Sequence, residues 1–483
     1  MKKKSLTRNA ILNTIKTLMS MIFPLITYPY VTRILQVENI GKINFSASIV
    51  SYFTLFAGLG INTYAIREGS RLRQNKQKLE RFAREVFTIN ILSTLIAYML
   101  FLGTVASIKN LHLYIPLILI QSIGIVAPAI GIDWLYVIYE DYGYITIQSI
   151  IVQIISMFLM FSLIHKQSDY VLYAGILTFS STAAYIFNFI HSRKYIKICL
   201  TRRPHIDEHI KPIIVIFAMS VATTIYVNSD TTMLGFISGD YYVGLYNAST
   251  KIYTVLKSLM AACILVSLPR LSNYMALKKY DSYSAAASNI LNMFITLLLP
   301  IVVGTFMTAK EIVLILAGNS FMESVISLKI LSISLFFSII AVYLTNVILL
   351  PIKEEKQIMY ATFVSAIVNF LLNFIFIYRW NHIGAAVTTV IAEVVVVVWQ
   401  LVAYHKSRHN IEIQLNTHNL WVSLMGSVMI IVICYVVDCL KINIVEMIIA
   451  KVCLSIIGYA SILILGHHTI VEYVKNFILE SKK

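Results

Sequence analysis

The sequence predicts an all-α polytopic membrane protein with about fourteen transmembrane helices, and composition and hydropathy carry this prediction. Of its 483 residues, 58% are hydrophobic and 13% are charged, whereas a soluble domain has roughly 25% charged residues. Apolar runs recur along almost the whole chain, and each span needs about 20 apolar residues. Because the runs are continuous rather than alternating, they favour helices over the strands of a barrel.

A ten-residue pattern occurs twice and divides most of the chain into two halves. Its copies are IGKINFSASI at Ile40–Ile49 and VGLYNASTKI at Val243–Ile252. Both copies read aliphatic-Gly-x-x-Asn-x-Ser-x-x-Ile. Their separation covers an even number of spans, which is typical of transporters built from parallel repeats. Coincidence in an apolar chain is the alternative.

The first half begins with a span that carries Pro24 and Pro29, and these prolines should kink its outer part. A basic stretch from Arg67 to Arg84 follows the second span. The expected spans of this half lie near residues 10–34, 34–66, 85–107, 114–138, 143–165 and 169–191.

We predict two six-helix lobes related by a parallel repeat, plus two C-terminal helices. The segments are an N-terminal lobe (1–192), a cytoplasmic linker (193–210), a C-terminal lobe (211–409), and two additional spans with a cytoplasmic tail (410–483). The linker is basic and contains Pro204, as expected of a connection between lobes.

The net charge of +16 does not indicate nucleic-acid binding, because the basic residues lie between apolar spans. With a cytoplasmic N-terminus, the loops on that side hold roughly 27 of the 39 Lys and Arg. The opposite side holds about 7. This asymmetry predicts a multi-pass protein whose N- and C-termini are both cytoplasmic.

Sequence signatures of catalysis are missing, so we expect no enzyme activity, cofactor or metal site. The chain has no Gly-x-x-x-x-Gly-Lys-Ser/Thr loop and no His-Glu-x-x-His pair. It also lacks a nucleophile elbow. Its five cysteines are scattered without metal-ligand spacing.

Four ionisable residues lie deep in predicted spans: Asp230, Lys251, Lys257 and Glu393. Such residues cost about 2.5–3.5 kcal/mol each on insertion scales and usually face a cavity or a partner. They therefore either line a water-filled cavity or form buried pairs that lock helices together. Lys451, nearer a span end, is expected to extend its ammonium to the interface.

Two further pairs of charges lie near span ends. Arg33 and Arg67 either anchor the chain at the interface or bind an anionic headgroup, since guanidinium forks suit phosphate oxygens. Asp133 and Glu140 are seven residues apart, which would place them on one helical face. We expect them to form an inner gate, either as a cap or in contact with substrate.

Longer motifs include YPYVTRIL, DWLYVIYEDYGYITI, NSDTTMLGF, LPRLS and VNFLLNFIFIYRWNHIGAAVTTVIAE. Together they resemble the lipid-linked oligosaccharide flippases, the polysaccharide transporter family within the multidrug/oligosaccharidyl-lipid/polysaccharide exporter superfamily. The resemblance covers nearly the whole chain. One departure is Val137-Ile138-Tyr139, where that family usually has a glycine-containing turn.

The resemblance implies a central cavity and alternating access in a bacterial cytoplasmic membrane. The implied substrate is a polyprenyl-pyrophosphate-linked sugar unit that moves from the inner to the outer leaflet, for O antigen or capsule assembly. A polymerase and other polysaccharide-assembly proteins are the implied partners.

A pyrophosphate cannot cross hydrocarbon unaided, so basic groups must replace its hydration. We expect this role for Arg33, Arg67, Lys251 and Lys257. Asp230 and Glu393 would position those bases or couple transport to an ion. A multidrug or cation antiporter of the same superfamily would need an acidic cavity instead. A membrane-embedded polymerase or glycosyltransferase is a second alternative, which the short outer loops disfavour.

Overall fold

The computed structural model describes residues 6–202, 204–407, 411–440, 442–471 and 475. Within these ranges all regular secondary structure is helical. Eleven helical segments of the described chain are long and apolar enough to cross a membrane. The predicted fold class, an all-α polytopic membrane protein, is confirmed.

The chain forms two compact units, Met1–Gly244 and Leu245–Lys483. The helices that begin in the first unit are α1 (Leu6–Gly58), α2 (Ile61–Leu72), α3 (Lys76–Ser107), α4 (Ile115–Gln121), α5 (Ile123–Gly131), α6 (Asp133–Ile138), α7 (Tyr142–Leu163), α8 (Tyr170–Ser192), α9 (Ile206–Ile237) and α10 (Asp240–Ala276), which continues into the second unit. The others are α11 (Tyr280–Met307), α12 (Ala309–Leu316), α13 (Ser324–Tyr343), α14 (Glu355–Lys406), α15 (Thr417–Asp438) and α16 (Ile444–Leu465).

Helix α1 consists of two legs that meet at Gln36, whose φ of 64° is not helical. The first leg packs on α7, where the Tyr30 hydroxyl donates to the Ile164 carbonyl oxygen at 2.7 Å. The second leg packs on α4, where the Gln121 amide donates to the Ile43 carbonyl oxygen at 3.0 Å. One long helical segment therefore supplies two spans with different neighbours.

Helix α14 also breaks, at Asn381, whose φ is 47°. A Cβ added at Gly384 would lie only 2.1 Å from the Phe376 carbonyl oxygen, so the backbone after the break lies against the backbone before it. Further along, the Ser365 hydroxyl donates to the Ala392 carbonyl oxygen at 2.8 Å. The two legs therefore form a hairpin of two spans. The eleven apolar segments of the described chain become thirteen spans when α1 and α14 are each counted as two, and α10 adds one more. This agrees with the predicted number of about fourteen.

The glycines of the repeated pattern make a reciprocal backbone contact within the first unit. A Cβ added at Gly41 would lie 1.8 Å from the Asp240 carbonyl oxygen, and one at Gly244 would lie 2.1 Å from the Val37 carbonyl oxygen. Val37 and Asp240 each lie four residues before the glycine of their own copy. Only glycine permits so close a backbone approach. The repeat therefore reflects a shared structural role rather than coincidence.

We call the end of the first unit at the α2–α3 connection, which carries Arg71, Arg73, Lys76 and Lys78, the basic end. Here α6 packs between α2 and α3. Its Ile138 side chain fills the space beside Gly69, where a Cβ would lie 2.4 Å from Ile138 Cδ1. Ile138, which lies where the resembled family usually has a glycine-containing turn, is thus part of the apolar core.

The segment after α8 lies along α3 at the basic end. The Lys197 amide donates to Glu80 Oε1 at 3.3 Å, and Arg84 Nε donates to the Lys197 carbonyl oxygen at 3.3 Å. The Thr201 amide donates to Thr88 Oγ1 at 3.0 Å. These bonds attach the predicted linker to the first unit.

The predicted lobes, 1–192 and 211–409, stay a prediction, and the boundary after residue 409 lies outside the described residues. Helix α9 begins at Ile206, inside the predicted linker of residues 193–210. It belongs to the first compact unit, where it packs on α1.

Replacing Gly41 with Ala should lower the thermal stability of the purified protein, because the new Cβ would meet backbone rather than a movable side chain. Overpacking of this kind costs about 1–3 kcal/mol. Gly103→Ala is the matched control, since a Cβ there meets nothing within 4 Å and brings the same gain in helix propensity. Equal thermal midpoints for the two variants would contradict the reciprocal contact.

Candidate functional site

The predicted site residues are distributed over both units. The first unit contains Arg33, Arg67, Asp133, Glu140 and Asp230, and the second contains Lys251, Lys257 and Glu393.

Lys257 and Glu393 form a buried ion pair between α10 and the second leg of α14. Lys257 Nζ lies 2.9 Å from Glu393 Oε1, and the Glu393 side chain is only 4% exposed. The Tyr253 hydroxyl donates to the same oxygen at 3.1 Å, and Lys257 Nζ lies 5.6 Å from the centre of the Tyr253 ring. The sequence left open whether these two residues line a water-filled cavity or form a buried pair. In the structure they form a buried pair.

Lys251 lies six residues, about 1.7 helical turns, earlier on α10 and differs from Lys257 in its surroundings. Its side chain is partly buried. Within the described part of the second unit, its ammonium makes no hydrogen bond or ion pair. A partly buried cation without a carboxylate partner is costly in an apolar setting. In the described part of this unit, Lys251 therefore differs from Lys257 in having no carboxylate that neutralises its charge.

Arg33 and Arg67 lie near opposite ends of the second leg of α1, so they are not brought together. Arg33 Nη1 donates to the Pro29 carbonyl oxygen at 2.5 Å, one turn earlier. Arg67 Nε lies 3.0 Å from Glu68 Oε1, and its side chain is 52% exposed. An exposed pair of this kind contributes little to stability, so the Arg67 guanidinium stays open to other anions.

Asp133 and Glu140 do not share a helical face, and that part of the sequence prediction is wrong. Ile132 has a φ of 49° and Glu140 a φ of 56°, so the chain leaves the helix on both sides of α6. Asp133 Oδ1 accepts a hydrogen bond from Asn188 Nδ2 at 2.6 Å. Glu140 Oε1 pairs instead with Arg73 Nη1 at 2.6 Å. The two carboxylates therefore act on different elements.

Asp133 follows a candidate span that ends at Gly131. Burial raises the pKa of its carboxyl group above the ordinary value, and the hydrogen bond from Asn188 opposes this shift. Asp133 is thus held by one specific donor in a water-poor setting, as expected of a residue that fixes the position of α6 against α8.

An aromatic cluster surrounds the same motif and was not found from the sequence. The His191 ring stacks on Tyr144 at 3.9 Å and lies parallel to Tyr136 at 5.8 Å between ring centres. Tyr139 stacks on Tyr195 at 4.6 Å. Tyrosine rings of the DWLYVIYEDYGYITI motif therefore pack against rings at and just after the end of α8.

Asp230 lies on α9, near the end opposite the basic end, and is 5% exposed. Its charge acts on Tyr52, whose hydroxyl lies 3.2 Å from Thr232 Oγ1. The Thr232 hydroxyl also donates to Ser48 Oγ at 2.9 Å. The Asp230 carboxylate thus acts on a group of hydroxyls that connects α1 with α9 in the first unit.

The expectation that Lys451 extends to the interface is wrong. Its side chain is 1% exposed, and Nζ lies 2.7 Å from both Glu311 Oε1 and Asp438 Oδ1. Glu311 lies 140 residues earlier in the chain, on the short helix α12, so no spacing rule connects it to Lys451. Lys451 therefore binds α16 to α12 and to the end of α15.

The comparisons with known proteins agree on one fold. The sequence model of a family described as "Polysaccharide biosynthesis protein" matches residues 6–275. A protein named "Putative O-antigen transporter" from Shigella dysenteriae is 25% identical over 390 residues, which are 79% of this chain and 96% of that protein.

Two solved structures share the fold. The lipid II flippase MurJ in an inward closed conformation has a TM-score of 0.76 at 18% identity, over 95% of this chain and all of that one. An inward-facing multidrug resistance MATE transporter has a TM-score of 0.60 at 13% identity, over 83% of this chain and 99% of that one. The family resemblance inferred from the motifs is therefore confirmed by the family model and the curated relative, and the solved structures share its fold.

Lys257→Met should destabilise the protein by about 3–5 kcal/mol, because it leaves Glu393 as an uncompensated buried charge. The double variant Lys257→Met/Glu393→Gln should recover much of that loss. Thermal unfolding in detergent, with Lys310→Met as an exposed-lysine control, measures the difference. Additive losses in the double variant would show that the two side chains do not interact.

Proposed function

The chain belongs to the polysaccharide biosynthesis protein family, and from this premise we propose that it flips a lipid-linked sugar unit across the cytoplasmic membrane. The relative named as an O-antigen transporter aligns over nearly its whole length. The fold is shared with a lipid II flippase. Both similarities support a substrate that combines a lipid tail, phosphates and sugars.

We propose a polyprenyl-pyrophosphate-linked oligosaccharide, carried from the inner to the outer leaflet by alternating access for O antigen or capsule assembly. The lipid tail needs no carrier in hydrocarbon, whereas the pyrophosphate must exchange its water for protein groups. The energetic problem that the protein solves is therefore the phosphate charge. The sugar needs only enough room and polar surroundings.

The observation that carries this proposal is the contrast between Lys251 and Lys257. Lys257 is paired with Glu393 at 2.9 Å, whereas the ammonium of Lys251 has no such partner among the described residues. An ammonium in this state favours a phosphate oxygen as its ligand. Lys251 is the proposed pyrophosphate contact, and Lys257 adds positive charge that Glu393 holds in position.

The remaining candidates take supporting roles in the proposal. Arg33 and Arg67, at the two ends of one helical leg, would receive the phosphates on entry and on release. Asp230 would couple transport to an ion by changing its protonation or its partner. The pair of Glu140 with Arg73, and Asp133 with Asn188, would control the position of α6 at the inner gate.

A multidrug or cation antiporter is the second candidate, because a MATE transporter shares the fold. An antiporter for cations needs carboxylates that are free to bind them. In the second unit the deep carboxylate, Glu393, is already paired with a lysine. The charge of this region therefore favours an anionic substrate.

Lys251→Met should leave the amount of protein in the membrane near normal and abolish export of the lipid-linked sugar. Lys251→Arg should restore export only in part, because the guanidinium fork needs a different geometry from an ammonium. Membrane abundance and export of surface polysaccharide are measured together in cells, with Lys310→Met as the control. Normal export by the Met variant would remove Lys251 from the site, and a proportional loss of abundance and export would give it a structural role.

We also propose that both termini are cytoplasmic and that the basic end faces the cytoplasm, where it would meet the enzymes that build the lipid-linked unit. A reporter that is active only in the cytoplasm, fused after Arg202, should be active. Activity of the complementary periplasmic reporter at the same position would invert the topology.

A further inference from the structure

A second group of titratable side chains lies at the basic end and is used by neither the sequence prediction nor the proposed phosphate site. Glu85 on α3 has a side chain that is 8% exposed, and three donors surround it. Arg81 Nε lies 3.0 Å and His205 Nδ1 lies 2.9 Å from Oε1. His209 Nε2 lies 3.0 Å from Oε2. Both carboxylate oxygens are therefore occupied.

His209 connects three helices. It belongs to α9, bonds Glu85 of α3 through Nε2, and through Nδ1 lies 2.7 Å from the Tyr64 hydroxyl of α2. The Phe82 ring packs on the imidazole at 5.6 Å between ring centres. With a side chain only 6% exposed, His209 is isolated from bulk water and held from both sides.

This geometry accommodates the imidazole in either charge state. A carboxylate only accepts, so Nε2 must carry a proton toward Glu85. In the neutral form Nδ1 accepts from the Tyr64 hydroxyl, and in the charged form Nδ1 donates to the same oxygen after the hydroxyl rotates. The difference between the states is the strength of the bond to Glu85, since a charge-assisted hydrogen bond is roughly twice as strong as a neutral one.

The other charges around the imidazole are accounted for on each element. On α3 they are Glu85 and its partner Arg81. On α2, Arg67 and Glu68 act on the Tyr64 hydroxyl, and on α9 itself Glu208 does the same. His205 contacts Oε1 of Glu85 and the Arg81 guanidinium, and its side chain is half-exposed. Glu85 is therefore the buried charge in direct contact with His209.

We propose that Glu85, His209 and Tyr64 form a proton-binding site that holds α9 against α2 and α3, so that proton uptake tightens the basic end and proton release loosens it. The ligand is a proton, and histidine is the side chain whose ordinary pKa, about 6.5, lies nearest cytoplasmic pH. Tightening this contact restricts movement of α9, and by linkage any movement that separates α9 from α3 must favour the deprotonated imidazole.

Within the proposed function, on which this role rests, the site would make access to the basic end depend on cytoplasmic pH. The proton site itself is testable without any transport assay. Ile213 lies one turn beyond His209 on α9 and is 0% exposed in the apolar cluster between α9 and α3. A cysteine placed there reports whether water reaches the contact.

The test measures labelling of Ile213→Cys by a water-soluble maleimide, relative to the exposed native Cys199, which corrects for the pH dependence of thiol reactivity. Between about pH 5.5 and about pH 8, on either side of the ordinary histidine pKa, relative labelling should rise about fivefold, the difference between a charge-assisted and a neutral hydrogen bond. Peptide mass spectrometry reads each cysteine separately.

Added to the Ile213→Cys parent, His209→Gln should remove this rise, because Gln keeps a donor for Glu85 but does not titrate. His205→Gln is the matched control and should retain the rise, since His205 contacts the same carboxylate without reaching α2. The double variant Glu85→Gln/His209→Gln, which leaves no uncompensated buried charge, should also be flat if the single variant does not fold.

If relative labelling still rises with pH in both His209 variants, or if labelling of the parent does not change with pH, the proton site is overturned. A pH-dependent parent that fails to flip any lipid-linked sugar would leave the site standing and would contradict the proposed function instead.

Discussion

The interior of a bilayer provides no water for charged groups, and this constraint explains which side chains the protein brings together. A buried charge is tolerated when a partner of opposite charge is within hydrogen-bonding distance. Lys257 meets this condition through Glu393 and Lys451 through Glu311. Among the residues that the structure describes, Lys251 has no such partner, although it lies on the same helix as Lys257. In our account the missing partner is the substrate, and its phosphate completes the pairing during transport.

The two ends of α9 are held by different kinds of contact within the first unit. Near the far end of α9, Gly235 permits close packing against α1, since an added Cβ would lie 2.0 Å from Phe45 Cδ2. This contact depends on shape and does not respond to pH. At the basic end, His209 and its partners supply hydrogen bonds between titratable groups. Changes in pH should therefore act on α9 mainly at the basic end.

Much of the fold was predictable because apolar length determines where a helix spans a membrane. The repeated glycine pattern was also visible in the sequence, but the reciprocal backbone contact behind it was not. The backbone stays helical through Pro24 and Pro29 and leaves the helix at Gln36 instead. Left-handed residues such as Ile132 and Glu140 have no sequence signal of their own, so the predicted shared face of Asp133 and Glu140 was wrong.

The site was less predictable because its contacts join residues far apart in the chain. Glu393 lies more than 130 residues from Lys257, and no spacing rule connects them. Lys451 was misjudged for the same reason, since Glu311 lies on another element. Glu85 was overlooked beside the basic stretch that ends at Arg84, although two histidines spaced four apart at the start of α9 were a usable signal.

The most direct test of the central claim is flipping of a lipid-linked sugar by the purified protein in liposomes. A polyprenyl-pyrophosphate-linked oligosaccharide is incorporated into both leaflets, with sodium ions and protons equal on both sides, and a membrane-impermeant glycosidase digests the sugar that reaches the outer leaflet. Our account predicts that liposomes with the protein lose nearly all of the sugar, whereas protein-free liposomes lose only the outer-leaflet share. Equal losses from the two preparations, with folded protein present, would contradict it.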